Sequence, residues 1–172
     1  MNRRNFMGLS LGALAAGAAR ATDVPLGRKG VMLMNRIAPS ISQLMMANLD
    51  GSNERKLLVD TDYEYNGTLS PDGQWLIFTS ERRGDGQSDI FRARADGTGI
   101  APVITTDSMD DAAVLSPDGR TLAFVSTRNG YRANIWLQDL FTGRTLQLTG
   151  IGDIHGEDLY PDCYFRPAWS PD

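Results

Sequence analysis

Beyond residue 30 the sequence is a succession of short apolar or alternating runs cut by polar turn clusters. The stretch from Ala112 is representative: AAVLS, then Pro-Asp-Gly, then TLAFVS, then TRNGYR, then NIWLQDL, then Phe-Thr-Gly, then TLQLT. Short runs rich in Val, Ile, Leu, Phe and Thr, bounded by Gly, Pro, Asn or Asp, predict β-strands joined by tight turns. No stretch after Ala21 keeps the 3.6-residue spacing of a buried helix face for long enough to predict a helix. Four strands fall in each unit.

The unit recurs. LSPDGQWLIF at Leu69 to Phe78 and LSPDGRTLAF at Leu115 to Phe124 place Ser70 and Ser116 46 residues apart. Phe78 and Phe124, Ser80 and Ser126, and Arg82 and Arg128 keep that step. A second turn keeps it three times, through Gly51, Gly97 and Gly143. A tandem four-stranded antiparallel unit of this length is the signature of a propeller blade. The repeated Ser-Pro-Asp-Gly follows from turn chemistry: Pro presets φ, Asp bonds back to nearby N–H groups, and Gly accepts a positive φ. Pro71, Asp72, Gly73, Pro117, Asp118 and Gly119 are therefore expected as structural turn residues. Asp72, Asp118 and Asp172 also invite a reading as a ring of catalytic or calcium-binding carboxylates, but turn chemistry already accounts for their type and spacing.

LSPDGQWLIFTSERRGDGQSDIFRARADGTG, LSPDGRTLAFVSTRNGYRANIWLQDLFTG and the closing FRPAWSPD resemble the PD40, WD40-like repeats of TolB-type β-propellers. The resemblance runs from about Val31 to the end and implies an all-β propeller of four-stranded antiparallel blades around a central channel, usually six in the family. Three strands of a first blade, two full blades and one strand of a fourth are expected here, an incomplete arc of about three blades over 31–172. The expectation is a chain truncated at its C-terminus; the competing one is a three-blade subunit that closes a ring by oligomerising.

The first 21 residues call for a separate reading. MNRRNFMGLSLGALAAGAARA has a two-arginine start, a Gly/Ala/Leu stretch and an Ala19-Arg20-Ala21 end, the pattern of a cleavable export signal. Arg3-Arg4 followed by Phe6-Met7 resembles the twin-arginine motif, from which Asn2 and Gly8 depart. The stretch is short for a membrane-spanning helix, and an uncleaved anchoring helix is the alternative. Residues 22–30 are a short linker. The expected location is periplasmic or secreted, with no stable membrane span after signal cleavage.

Composition narrows the chemistry. With a net charge of −4 the chain has no basic footprint for nucleic acid. One cysteine, Cys163, permits no internal disulfide and reads as a small hydrophobe beside a strand; one histidine, His155, cannot by itself make a common metal site. No metal and no cofactor are expected. The part beyond the export signal has no G-x-S-x-G elbow, no H-E-x-x-H and no phosphate-cradling glycine loop, so no catalytic residue is assigned.

Strand parity then locates a binding face. Ser-Pro-Asp-Gly and the Asp-Gly or Thr-Gly turns open on one side of the blades, whereas ERRGDGQS, TRNGYRA, VDTDYEYNG and TTDSMDD open on the other. Ser116 to Ser170 is 54 rather than 46, and the extra residues fall in GIGDIHGEDLYPDCYFR on that second side. Loops that vary on a rigid scaffold are where binding concentrates. The candidate binding residues are Arg82, Arg83, Arg128, Tyr131, Arg132, His155, Asp158 and Tyr160, with Asp85, Asp153 and Glu157 nearby. Each has a plainer alternative: Arg82 and Arg128 as a repeated structural pairing within the blade, His155 as a solvated side chain, and Trp75, Trp136 and Trp169 as packing rather than stacking residues.

Two functions compete. In one, an exported, non-catalytic module binds a protein, peptide or glycan of the cell envelope; the TolB resemblance implies docking to an envelope lipoprotein, though TolB carries an α/β domain ahead of its propeller, whereas about nine residues are expected here between the cleavage site and the first strand. In the other, similar repeats form the N-terminal gating propeller of prolyl-oligopeptidase-type serine peptidases. A sugar-acid lyase on similar blades would require clustered histidines, and the sequence has one.

Overall fold

The computed structural model describes residues 30–59, 63–84, 86–150 and 163–171. Among them lie eleven strands: β1 Val31–Ala38, β2 Ile41–Asn48, β3 Arg55–Lys56, β4 Glu64–Leu69, β5 Trp75–Ser80, β6 Asp89–Arg94, β7 Ala101–Ile104, β8 Asp110–Leu115, β9 Thr121–Ser126, β10 Asn134–Asp139 and β11 Thr145–Gln147. They form three antiparallel sheets ordered β1-β2-β3, β4-β5-β6-β7 and β8-β9-β10-β11. The 46-residue period is thus a physical blade, and the described sheets make an open arc of the propeller type. The first blade departs in one detail: β1 and β2 are joined by the tight Pro39-Ser40 hairpin, with Ser40 at φ 63°, where the other blades have a longer loop.

Period-two alternation explains how the blades stack. The second sheet is covered on both faces, so successive residues of one strand enter different cores. In β5, Leu76 and Phe78 pack with Leu44, Met46, Leu57, Leu58, Phe91 and Ala93, the core between the first and second blades. Ile77, between them, points the other way and joins Ile90, Ile104, Ala113, Leu122 and Phe124 in the core between the second and third. Phe78 and Phe124 occupy the same place in their blades and are both fully buried. Each buried aromatic or aliphatic side chain of this kind contributes about 1.5–3 kcal/mol.

The innermost strands share a kink. The ladder between β4 and β5 slips between Tyr65 and Thr68, and that between β8 and β9 slips between Asp111 and Val114. At each slip a residue takes a left-handed backbone, Asn66 at φ 50° and Ala112 at φ 50°. The bulge lets the inner strand bend while keeping its flanking side chains in register.

The segment 163–171, expected as the first strand of a fourth blade, has no ladder partner among the described residues and so is extended chain rather than strand. It is nonetheless docked as an inner strand would be. The Tyr164 amide donates to the Ala133 carbonyl at 2.9 Å, as the Asp110 amide donates to the Ser88 carbonyl at 2.8 Å one blade earlier. Arg166 repeats the left-handed residue at φ 55°, and the Trp169 Nε1–H donates to the Val114 carbonyl at 3.1 Å. Cys163 is exposed at the start of this segment rather than sheltered beside a strand.

Candidate binding face

The two ends of the blades differ in chemistry. At the first end, the Ser-Pro-Asp-Gly turns are closed systems. The Ser70 hydroxyl donates to Asp72 while accepting from the Trp75 amide at 2.9 Å, and the Asp72 carboxylate also accepts the Gln74 amide at 3.0 Å. Ser116, Asp118, Thr121 and Arg120 repeat the arrangement. Gly73 and Gly119 stand at φ 69° and 73° and donate to the Ser70 and Ser116 carbonyls. Hydrogen bonds from those serines, and then from the following amides, hold both aspartates below the usual carboxylate range. One oxygen of each carboxylate is thus engaged within its own turn, the role that turn chemistry gives it; Asp172 lies outside the described residues.

At the second end, the predicted residues separate into two groups. Arg82 and Arg128 turn inward. The Arg82 Nη2 donates to Glu64 at 3.3 Å and its Nε to the Ser80 hydroxyl at 3.0 Å, while the guanidinium lies over Phe91 and Phe78 at 4.8 and 5.4 Å. Arg128 repeats this on Asp110 at 2.9 Å, Ser126 at 2.8 Å, and the rings of Trp136 and Phe124 at 5.0 and 5.1 Å. Glu64 and Asp110 are fully buried, so each arginine supplies the positive charge that makes a buried carboxylate tolerable. The sequence shows the arginine step of 46; the acids escape notice because one blade uses Glu and the other Asp. Arg83 is likewise engaged, on Asp89 at 3.3 Å and the Thr106 carbonyl at 3.0 Å.

Tyr131 is different. It stands at the tip of the β9–β10 loop, 96% exposed, with φ 60° directly after Gly130 at φ 76°. Its amide donates to the Thr127 carbonyl at 3.1 Å, which fixes the tip. Arg132 follows it, half-buried, on the same loop. Asp85, Asp153, His155, Glu157, Asp158 and Tyr160 lie outside the described residues.

One cluster escapes sequence reasoning. Asp111 accepts from the Thr79 hydroxyl at 2.7 Å, the Asn66 amide group at 2.9 Å and the Ala112 backbone at 2.6 Å, tying the second and third blades together. Beside it, the Tyr65 hydroxyl donates to Glu81 at 3.1 Å. Burial pushes the Tyr65 phenol well above its ordinary value, and the charges of Asp111 and Glu81 add to that, so Tyr65 stays a neutral donor. Among the described residues no group of three His, Cys, Asp or Glu is placed to hold a metal ion, and no helix is long and apolar enough to cross a membrane.

This architecture has relatives. TolB from Acinetobacter baumannii is similar with a TM-score of 0.60 at 22% identity, over 69% of this chain and 29% of that one. A putative TolB from Agrobacterium tumefaciens gives 0.59 at 23% identity, over 68% and 44%. A puromycin hydrolase S511A mutant complexed with PGG gives 0.52 at 22% identity, over 70% and 21%. At these identities the likeness is one of fold, and the chain spans less than half the length of each. No curated protein matches the sequence. The family model of the TolB beta propeller domain, PD40, matches residues 24–172. With repeat, blade topology and family model in agreement, the chain belongs to the TolB β-propeller domain family.

Proposed function

We propose that this chain is an exported, non-catalytic propeller module, with residues 1–21 as its export signal, that docks a protein, peptide or glycan of the cell envelope on its loop face. Tyr131 carries the reading. A left-handed backbone costs a non-glycine residue about 1–2 kcal/mol, and strain of this kind collects at functional positions. The fold bonds the Tyr131 backbone amide, but the side chain, with the residue 96% exposed, buries almost nothing in return. Tyr is also among the residues that dominate binding energy when a partner covers them. Arg132 follows it, and Arg83 and the segment bearing His155, Asp158 and Tyr160 belong to the same side of the blades by strand parity. Arg82 and Arg128 serve this face by holding the roots of its loops.

The test is a photoreactive benzoylphenylalanine at position 131, irradiated in envelope extract of the source cells. One dominant adduct is expected, competed by unlabelled protein, and Tyr131→Asn should weaken binding of the isolated partner by at least about tenfold without changing the melting temperature. No adduct at 131, with one formed from the same probe at Phe141 on the opposite end, would overturn the reading.

The likeness to puromycin hydrolase supports a second reading, in which the blades are the N-terminal gating propeller of a prolyl-oligopeptidase-type serine peptidase. Labelling of the native gene product by a fluorophosphonate probe would decide for it.

A further inference from the structure

On the end of the second blade opposite Tyr131, a groove of about 500 Å³ is lined by Gln74, Trp75, Arg94, Ala95 and Asp96. All five come from the start of β5 and the end of β6 with its turn. The fold uses their backbone: the Ala95 amide donates to the Gln74 carbonyl at 2.9 Å, and Trp75 and Arg94 are register partners. It does not dictate their side chains. In the third blade the same bond joins Leu140 to Arg120 and the same register pairs Thr121 with Asp139. Among the described residues, a tryptophan flanked by an amide, a guanidinium and a carboxylate is therefore a feature of the second blade that the third does not share.

The chemistry of the four side chains is complementary. Trp75 is half-buried, and the Arg92 guanidinium, outside the groove's lining, lies over its ring at 4.9 Å, a contact that helps hold the indole in place. Asp96 accepts the amide and hydroxyl of Thr98 on one oxygen. Those bonds, with the Arg94 charge, hold its carboxyl below the usual range, so it acts as an acceptor at neutral pH. Arg94 supplies donors only, and Gln74 supplies both. Arg94 and Asp96 offset each other within the groove and Arg92 is occupied with the ring, so neither an anion nor a cation is favoured. A flat apolar surface edged by balanced donors and acceptors fits a neutral sugar ring, and the volume lies within the range of small-molecule sites.

We infer that this groove is a subsite for a neutral saccharide of about disaccharide size, independent of the loop face. The probes are cellobiose and N,N′-diacetylchitobiose, each followed by saturation-transfer NMR on the whole chain. Transfer to the ring protons of at least one disaccharide is expected, with Trp75→Thr lowering the affinity at least tenfold. That variant installs what the third blade carries at the same place, so an unchanged melting temperature accompanies it; Gln74→Arg, by the same logic, should weaken binding with the fold intact. Absence of transfer from both sugars, or transfer that survives Trp75→Thr undiminished, would overturn the assignment.

Discussion

A methyl group on Gly97 would sit 1.9 Å from the Leu57 carbonyl oxygen, at a φ of 90°. Gly143 marks the same turn one blade later, at φ 72°, with nothing within 4 Å of the added carbon. The sequence writes the two identically, and the surroundings divide them. At Gly143 alanine meets only the conformational penalty, about 1 kcal/mol. At Gly97 it also meets backbone of the preceding blade, which cannot swing aside as a side chain would. Thermal melts of the two alanine variants should therefore differ, with Gly97→Ala the lower by at least several degrees; equal melting temperatures would mean that the contact between Gly97 and Leu57 is not held in solution.

The inner strand is the element whose geometry is least apparent from its residues. Strand positions, turn glycines and the repeated arginines follow from the 46-residue step because each place calls for one residue type, glycine above all where φ must be positive. The bulge does not, since Asn66, Ala112 and Arg166 share its left-handed backbone and no chemistry. Asn tolerates that conformation and gains a bond to Asp111, whereas Ala112 has only its amide bonds to Thr79 and Asp111 to hold it. Replacing Ala112 by Gly should leave stability unchanged or raise it by up to about 1 kcal/mol. Ala113→Gly, one residue on in the buried part of β8, should lower it by a similar amount. Urea denaturation of the pair reads the sign directly. The candidate site was legible to the same extent: the loop face follows from strand parity, but Arg82 and Arg128 look like ligand-binding charges until Glu64 and Asp110 are seen beneath them. Tyr131 looks like any loop tyrosine until its φ is known.

At the scale of the molecule, the second blade lies between the two larger described cores, with Leu76 and Phe78 on one side and Ile77 and Ile90 on the other, while the third has a smaller cluster of Val125, Ala133 and Ile135 on its far face. The flanking strands are barer: Val31 and Ile37 in β1 are 48% and 77% exposed, and Leu146 in β11 is 60% exposed. Hydrogen exchange should accordingly be slowest in β5 and β6 and fastest in β1 and β11, read by mass spectrometry of peptides from each blade; uniform exchange would mean that the blades open as one unit. The docking of Tyr164 on Ala133 has a broader consequence. It reproduces the bond of Asp110 to Ser88 although the path from Ser116 to Ser170 is eight residues longer than that from Ser70 to Ser116. The anchor sets where the next inner strand begins, and the length of chain before it does not. Evolution can therefore splice new sequence between one blade and the next, and try out new specificities there, without renegotiating the blades themselves.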